Sequence, residues 1–290
     1  MDSLSKEKKM GLTAKIENNL NDTNVEANKH AIELKDIIVR YPGNYEPVLD
    51  IEYFKVIKGE RIAVIGPSGA GKTTLLRLIN GYVEPERGYR KIMGEDMDGT
   101  LRGSREIRRK IGFIFQEYNL IDRASVLENV LWGRLGRVNP FLSVLGYYPE
   151  RDKKAALKAI SEVDLISQVN QRADCLSSGQ KQRVAIARVL TQQPEIILAD
   201  EPVSNLDPSL GSDILGLLEG LSIKHSYTLI MSLHQPEFAA RFAQKIVGLR
   251  EGKIIYQGPA DKLNDSVLDE IYGRDNIREF PSIQYSNTQG

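Results

Sequence analysis

Eight consecutive residues, Gly66-Pro67-Ser68-Gly69-Ala70-Gly71-Lys72-Thr73, fit the pattern G-x-x-x-x-G-K-[ST]. The chemistry of such a run is phosphate binding. Its glycines let successive backbone N–H groups turn inward onto phosphate oxygens, and a helix beginning at Lys72 adds the partial positive charge of its N-terminus. Lys72 is placed to reach β- and γ-phosphates, the Thr73 hydroxyl to take Mg²⁺, and Thr74 continues the same run. An apolar run precedes the loop and an amphipathic pattern follows it, which is the context the motif requires. This is a nucleotide site. A second segment, Ile196-Ile197-Leu198-Ala199-Asp200-Glu201, reads as an apolar strand ending in two carboxylates. There Asp200 can hold Mg²⁺ or its waters opposite Thr73, and Glu201 can polarise an attacking water as general base. A third, Leu176-Ser177-Ser178-Gly179-Gln180, runs into a basic, Ala-rich helical stretch. Taken alone it is either a second anion site, built from a Ser hydroxyl and glycine N–H groups at a helix N-terminus, or a helix capped by Ser177 or Ser178.

These residues need elements to hold them. Strands are expected at 32–40 and 48–56 as an opening pair, then at 61–65, 111–115, 196–199, 227–232 and 245–249. Helices are expected at 72–79, 126–135, 153–163 and 179–190, the last stopped by Pro194. Alternating strands and helices imply an α/β sheet covered on both faces, and the helical stretch in the middle implies a separate lobe. Residues 1–30 are polar and poor in large apolar groups, so they read as a disordered extension with at most a weak helix at 12–20; 276–290 reads as a loose tail.

Composition narrows the class. The 290 residues carry 39 Lys+Arg against 39 Asp+Glu, so the net charge of zero gives no basic excess to favour nucleic acid. A single cysteine, Cys175, rules out an intrachain disulfide framework, and beside the third segment it reads as an idle thiol. No apolar run approaches the roughly 20 residues needed to cross a bilayer, and the N-terminus has no signal-peptide core, so a membrane role is expected only through partners. Trp132 is expected to pack inside the helical lobe, the basic run 102–110 to be a solvated helix face, and His30 and His225 to be surface residues.

The three segments, in this order, resemble those of ATP-binding cassette (ABC) proteins, the third matching the family's L-S-G-G-Q signature apart from Ser178 in place of a glycine. The resemblance runs over nearly the whole chain between the tails. It implies a P-loop NTPase core over about 31–116 and 190–260, with an N-terminal antiparallel β subdomain and a helical lobe at about 117–189, in one ABC ATPase domain of 31–275. It further implies that Gln116 contacts Mg²⁺ or water and couples to a membrane partner. Ser204-Asn205-Leu206-Asp207 resembles the loop that crosses a dimer interface, His234 the switch that contacts the γ-phosphate, and Tyr41 the aromatic ring laid against adenine. Catalysis then falls to Lys72, Gln116, Glu201 and His234, and the metal to Thr73, Gln116 and Asp200. ATP is held by Tyr41, residues 66–74, Asp207 and, from a second copy, Ser177, Ser178, Gly179 and Gln180. The implied assembly is an ATP-sandwich dimer on the inner face of the membrane, beneath two permease subunits, served indirectly by a substrate-binding protein.

For the cargo, the stretch Leu131-Trp132-Gly133-Arg134-Leu135-Gly136, the later Leu145-Gly146-Tyr147-Tyr148-Pro149, and the phrases 116–120 and 198–203 resemble ATP-binding subunits of phosphonate importers. Importers of phosphite, phosphate esters or other oxyanions remain open, as does an exporter subunit. A soluble ABC ATPase of DNA repair or the ribosome fits less well, because the chain has one cassette and no heptad tract.

Overall fold

The computed structural model describes residues 29–97, 101–137 and 147–273, with the side chains of 101–104 left aside. The expectations for residues 1–28, for Leu145 and Gly146, and for the tail at 276–290 lie outside the described residues.

The chain opens with β1 (His30–Val39) and β2 (Leu49–Ile57), an antiparallel pair in which Leu34 faces Phe54 and Ile37 faces Ile51. β3 (Arg61–Ile65) leads through the glycine-rich loop into α1 (Lys72–Asn80). β4 (Arg87–Ile92) and β5 (Glu95–Asp96) follow, then α2 (Leu101–Lys110) and β6 (Ile111–Ile114). Next come α3 (Val126–Leu131), α4 (Glu150–Glu162) and α5 (Ser178–Gln192). β7 (Ile196–Asp200), α6 (Pro208–His225), β8 (Thr228–Ser232), α7 (Pro236–Phe242), β9 (Lys245–Arg250), β10 (Lys253–Pro259) and α8 (Asp265–Tyr272) complete the order.

Two sheets result. One has the order β2-β1-β4-β5 and is antiparallel; the other has the order β10-β9-β3-β8-β7-β6. In the second, β9, β3, β8, β7 and β6 are parallel and β10 closes the edge antiparallel. β6, β7 and β8 are mostly apolar because both faces of the sheet are covered: every residue of the three is buried, the polar exceptions Asp200, Thr228 and Ser232 standing at strand ends. Alternate residues divide two cores. Ile62, Val64, Leu198 and Ile230 pack with the antiparallel sheet and α1, whereas Ala63, Ile65, Ile197 and Met231 pack with residues of α3 to α8. The helical insertion between β6 and β7 is therefore seated on one face of the nucleotide-binding sheet. Trp132 packs against that core, as expected.

The expected strands and helices are all present, with ends shifted by a few residues. Helices α6, α7 and α8 and strands β4, β5 and β10 had no counterpart in the sequence reading. In α6 the reason is visible: Gly211, Gly216 and Gly220 dilute the helical signal. His225 is not the surface residue expected. It stacks on Tyr227 with ring centroids 5.1 Å apart and bonds Glu162 at 3.0 Å, while Lys224 reaches the same carboxylate at 3.1 Å. The basic run also departs from its reading. Arg105, Arg108 and Arg109 of α2 line a 380 Å³ cleft with Arg137, Arg188, Phe113, Phe115 and Trp132.

Candidate active site

Strands β3, β8 and β7 lie side by side and end at the same edge, where open α/β sheets bind their ligands. From β3 the chain turns at Gly66, whose φ of 151° and close approach to the Leu249 carbonyl leave no room for a Cβ: one would lie 2.0 Å from that oxygen. Gly71, at φ 103°, has Val48 O 2.9 Å from where a Cβ would stand. Between them the loop wraps a 270 Å³ cavity lined by Val48, residues 68–74, Glu201 and His234. α1 starts at Gly71 with no side-chain cap, so its first N–H groups are not taken up by a capping side chain.

Lys72 is 5% exposed and its Nζ donates to the carbonyls of Gly66 and Pro67 at 2.8 and 3.0 Å. Burial pushes its pKa below the usual lysine value, and Glu201 and Asp200 pull it part of the way back. Thr73 Oγ1 donates to Asp200 Oδ1 at 3.0 Å. The same oxygen accepts the Ser232 hydroxyl at 2.8 Å, and Ser232 Oγ in turn accepts the Glu201 N–H at 2.9 Å. Glu201 sits at φ 47°, and its Oε1 is hydrogen-bonded to His234 Nε2. The structure thus gathers Lys72, Thr73, Glu201 and His234 around one cavity at three strand ends, with the buried Asp200 bonded to Thr73.

The remaining expected residues stand apart from it. Tyr41 does not line the cavity but shares a 3.4 Å hydrogen bond with Thr74 Oγ1, which sets the ring beside the phosphate loop. Gln116 is exposed, and its carbonyl accepts Asn205 Nδ2 at 3.4 Å. Asp207 is the N-cap of α6, accepting Leu210 N–H at 3.0 Å. Ser177 caps α5 in a reciprocal box: its hydroxyl accepts Gln180 N–H at 3.3 Å while its own N–H donates to Gln180 Oε1 at 3.0 Å. Ser177 and Ser178 are exposed, Gly179 is buried under Leu210, and none of the three lines the phosphate cavity. Arg188, further along α5, donates to the carbonyl of Tyr118 at 2.9 Å, tying this helix to the segment after Gln116. Cys175 is exposed, with a thiol bonded to Asp174 that raises its pKa.

Sequence reasoning passed over Ser232 and Arg188. A serine closing an otherwise apolar, buried run was the signal for the first. For the second, a half-buried guanidinium gives none, because its partners are backbone carbonyls distant in sequence.

The phosphate loop, the carboxylates beside it and the helical insertion define an ATP-binding cassette, and comparison with known proteins agrees. Residues 49–204 match the ABC transporter family. The chain is similar to the phosphonates import ATP-binding protein PhnC 3 of Halalkalibacterium halodurans, 44% identical over 86% of this chain and 96% of that protein. It is 41% identical to the phosphonates import ATP-binding protein PhnC of Staphylococcus epidermidis, over 84% of this chain and 95% of that one. Among solved structures, cbiO1 from Clostridium perfringens, part of the ABC transporter complex cbiONQ, gives a TM-score of 0.73 at 27% identity, covering 87% of this chain and 94% of that chain. A dimeric ATP-binding cassette in a post-hydrolysis state, bound to ADP and Pi, gives 0.69 at 31% identity, over 79% and 98%. The protein belongs to the ABC transporter family. It is an ATP-hydrolysing subunit of that family. Among the described residues no helix is long and apolar enough to cross a membrane.

Proposed function

We propose that this chain is the motor of an importer for phosphonates or related phosphorus oxyanions, working as a dimer beneath two permease subunits at the inner face of the membrane. One observation carries the motor mechanism: the phosphate cavity holds Lys72, Thr73, Glu201 and His234 but no residue of the signature segment 176–180. A second copy supplies that segment, and with it Ser177, Ser178, Gly179 and Gln180 face the γ-phosphate. Lys72 leaves the loop carbonyls for the β- and γ-phosphates, the backbone N–H groups of residues 69–73 hold phosphate oxygens, and Tyr41 lies against adenine. Glu201 takes the proton of the attacking water, and His234, bonded to the same carboxylate, holds it toward the γ-phosphate.

Mg²⁺ fits this set of donors. Among the described residues no three His, Cys, Asp or Glu side chains gather into a metal cage. Mg²⁺ does not need one, being held by one carboxylate and a hydroxyl together with substrate phosphates. Thr73, whose hydroxyl donates to Asp200, would keep lone pairs for the ion, and Gln116 would add a further ligand. The ion would neutralise charge developing between the phosphates. Arg188 on the signature helix holds the segment after Gln116, so movement of the helical insertion reaches that segment directly. That segment and the arginine-lined cleft beside it face the permease.

The cargo class rests on the similarity to phosphonates import ATP-binding proteins and on the segments 131–136 and 145–149; no residue of this chain touches the cargo. The test is ATPase activity of the chain reconstituted with its permease and binding protein, across alkylphosphonates, phosphite and phosphate. Stimulation by phosphonates supports the importer; hydrolysis that no phosphorus compound changes removes the cargo and leaves the motor.

A further inference from the structure

Ser232 closes β8, is fully buried, and touches both residues on which hydrolysis depends. The parallel ladder sets it there, because Asp200 and Ser232 are register partners at the last rung of β7 and β8. A slip of one residue would turn its hydroxyl to the opposite face of the sheet. Beyond that rung the two strands part. Past β8 the chain still pairs with β3, Leu233 N–H donating to Val64 O at 3.0 Å, while β7 ends and Glu201 adopts φ 47°. In that left-handed conformation the Glu201 N–H leaves the ladder and is met by Ser232 Oγ at 2.9 Å instead. The serine proton goes to Asp200 Oδ1 at 2.8 Å. One hydroxyl therefore works in both directions, accepting from the backbone of one acidic residue and donating to the side chain of the other.

We propose that Ser232 is a positioning residue for hydrolysis, fixing the Asp200 carboxylate for the metal and the backbone of Glu201 for the attacking water through one shared hydroxyl. The proposal rests on the reading of Asp200 as metal holder and Glu201 as base. Asp200 Oδ1 accepts from Thr73 as well as Ser232. The Thr73 hydroxyl must meet both the ion and the carboxylate, whereas Ser232 is fully buried and does not line the phosphate cavity, so its bond can keep the orientation constant throughout. Partners of this kind, one step removed from a metal, commonly set affinity or activity by about 10- to 100-fold. On the other side, a left-handed non-glycine residue persists only where its surroundings hold it, and the hydroxyl is what holds the Glu201 N–H.

The experiment uses the full chain and a fluorescent ATP analogue. Nucleotide binding is titrated with Mg²⁺ in a Glu201→Gln background, which keeps the backbone N–H and stops turnover. Ser232→Ala is expected to raise the Mg²⁺ midpoint by about tenfold or more, with binding measured in EDTA changed less than about twofold. Turnover in the otherwise native chain is expected to fall by a similar factor. Ser232→Thr, which restores a hydroxyl, should recover both readings. An unmoved midpoint in Ser232→Ala overturns the proposal, and so does a Ser232→Thr variant as defective as the alanine, since packing alone would then explain the loss. Asp200→Asn, run beside them, separates the two levels. If its midpoint shifts and that of Ser232→Ala does not, only the role of Ser232 is lost; if neither shifts, the metal reading falls as well.

Discussion

Two helix N-termini in this protein are proposed to meet phosphate, and they are finished differently. α1 begins at a glycine with no side-chain cap, and Lys72 is folded back onto loop carbonyls that a nucleotide would displace. α5 begins at Ser177, whose box with Gln180 uses the helix's own side chains to satisfy two of its orphan donors. The first end is an open site waiting for a ligand. The second is self-sufficient as a helix end, exposed, and without a phosphate site around it in its own chain. On the proposed reading the phosphate loop binds nucleotide alone, while the signature segment works only when another copy delivers the γ-phosphate.

Variants can break this contrast from either side. The largest effect is expected from Lys72→Ala, which removes charge-assisted bonds of about 1.5–3 kcal/mol each and should weaken ATP binding by about 100-fold in equilibrium titration. Ser177→Asp comes next. Aspartate caps a helix as well as serine does, so thermal stability should hold, yet its charge opposes the γ-phosphate; turnover should fall by at least about tenfold while binding to the isolated chain is unchanged. Ser177→Ala sharpens the same point from the other direction. Losing the cap should cost about 1 kcal/mol, read as a melting temperature lower by about 2–4 °C. Ser178→Gly, which restores the family's glycine at an exposed first helical position, should shift stability by only about 0.5 kcal/mol and turnover by less than about threefold.

The smallest effect is one of pH. Burial lowers the Lys72 pKa, so its charge is lost at lower pH than that of a solvated lysine. ATP affinity measured against pH should therefore decline along an alkaline limb, and Lys72→Arg should flatten that limb because a guanidinium does not titrate there.

The same contrast explains what could be read from the sequence. The phosphate loop is spelled in adjacent residues, and β3 and β7 stand out as short apolar runs, so loop, lysine, threonine and both carboxylates were legible together. The signature helix was legible too, because a capping box is a local pattern. Residues that act through distant partners were not. Ser232 shows only as a polar interruption in a buried strand, and its value depends on the register with Asp200. The arginines of α2 looked solvated because a basic run carries no mark of the cleft that Arg137, Arg188 and the aromatic residues of 113–115 close around it. His225 misled in the same way, since Glu162 and Tyr227 make it half-buried and only Tyr227 is near in sequence. In the single chain the Tyr41 hydroxyl bonds Thr74, the Gln116 backbone carbonyl accepts from Asn205, and the Asp207 carboxylate caps α6, so none of these contacts spells out the roles the resemblance implies.

The central claim is that the hydrolytic site is completed across two copies, and a mixing experiment tests it most directly. Lys72→Ala keeps an intact signature segment, and Ser177→Asp keeps an intact phosphate loop. Each alone should be nearly inactive. Mixed, they should recover ATP hydrolysis that rises with the product of their concentrations, because each mixed pair joins one sound phosphate loop to one sound signature segment. A mixture no more active than the sum of its parts would contradict the account.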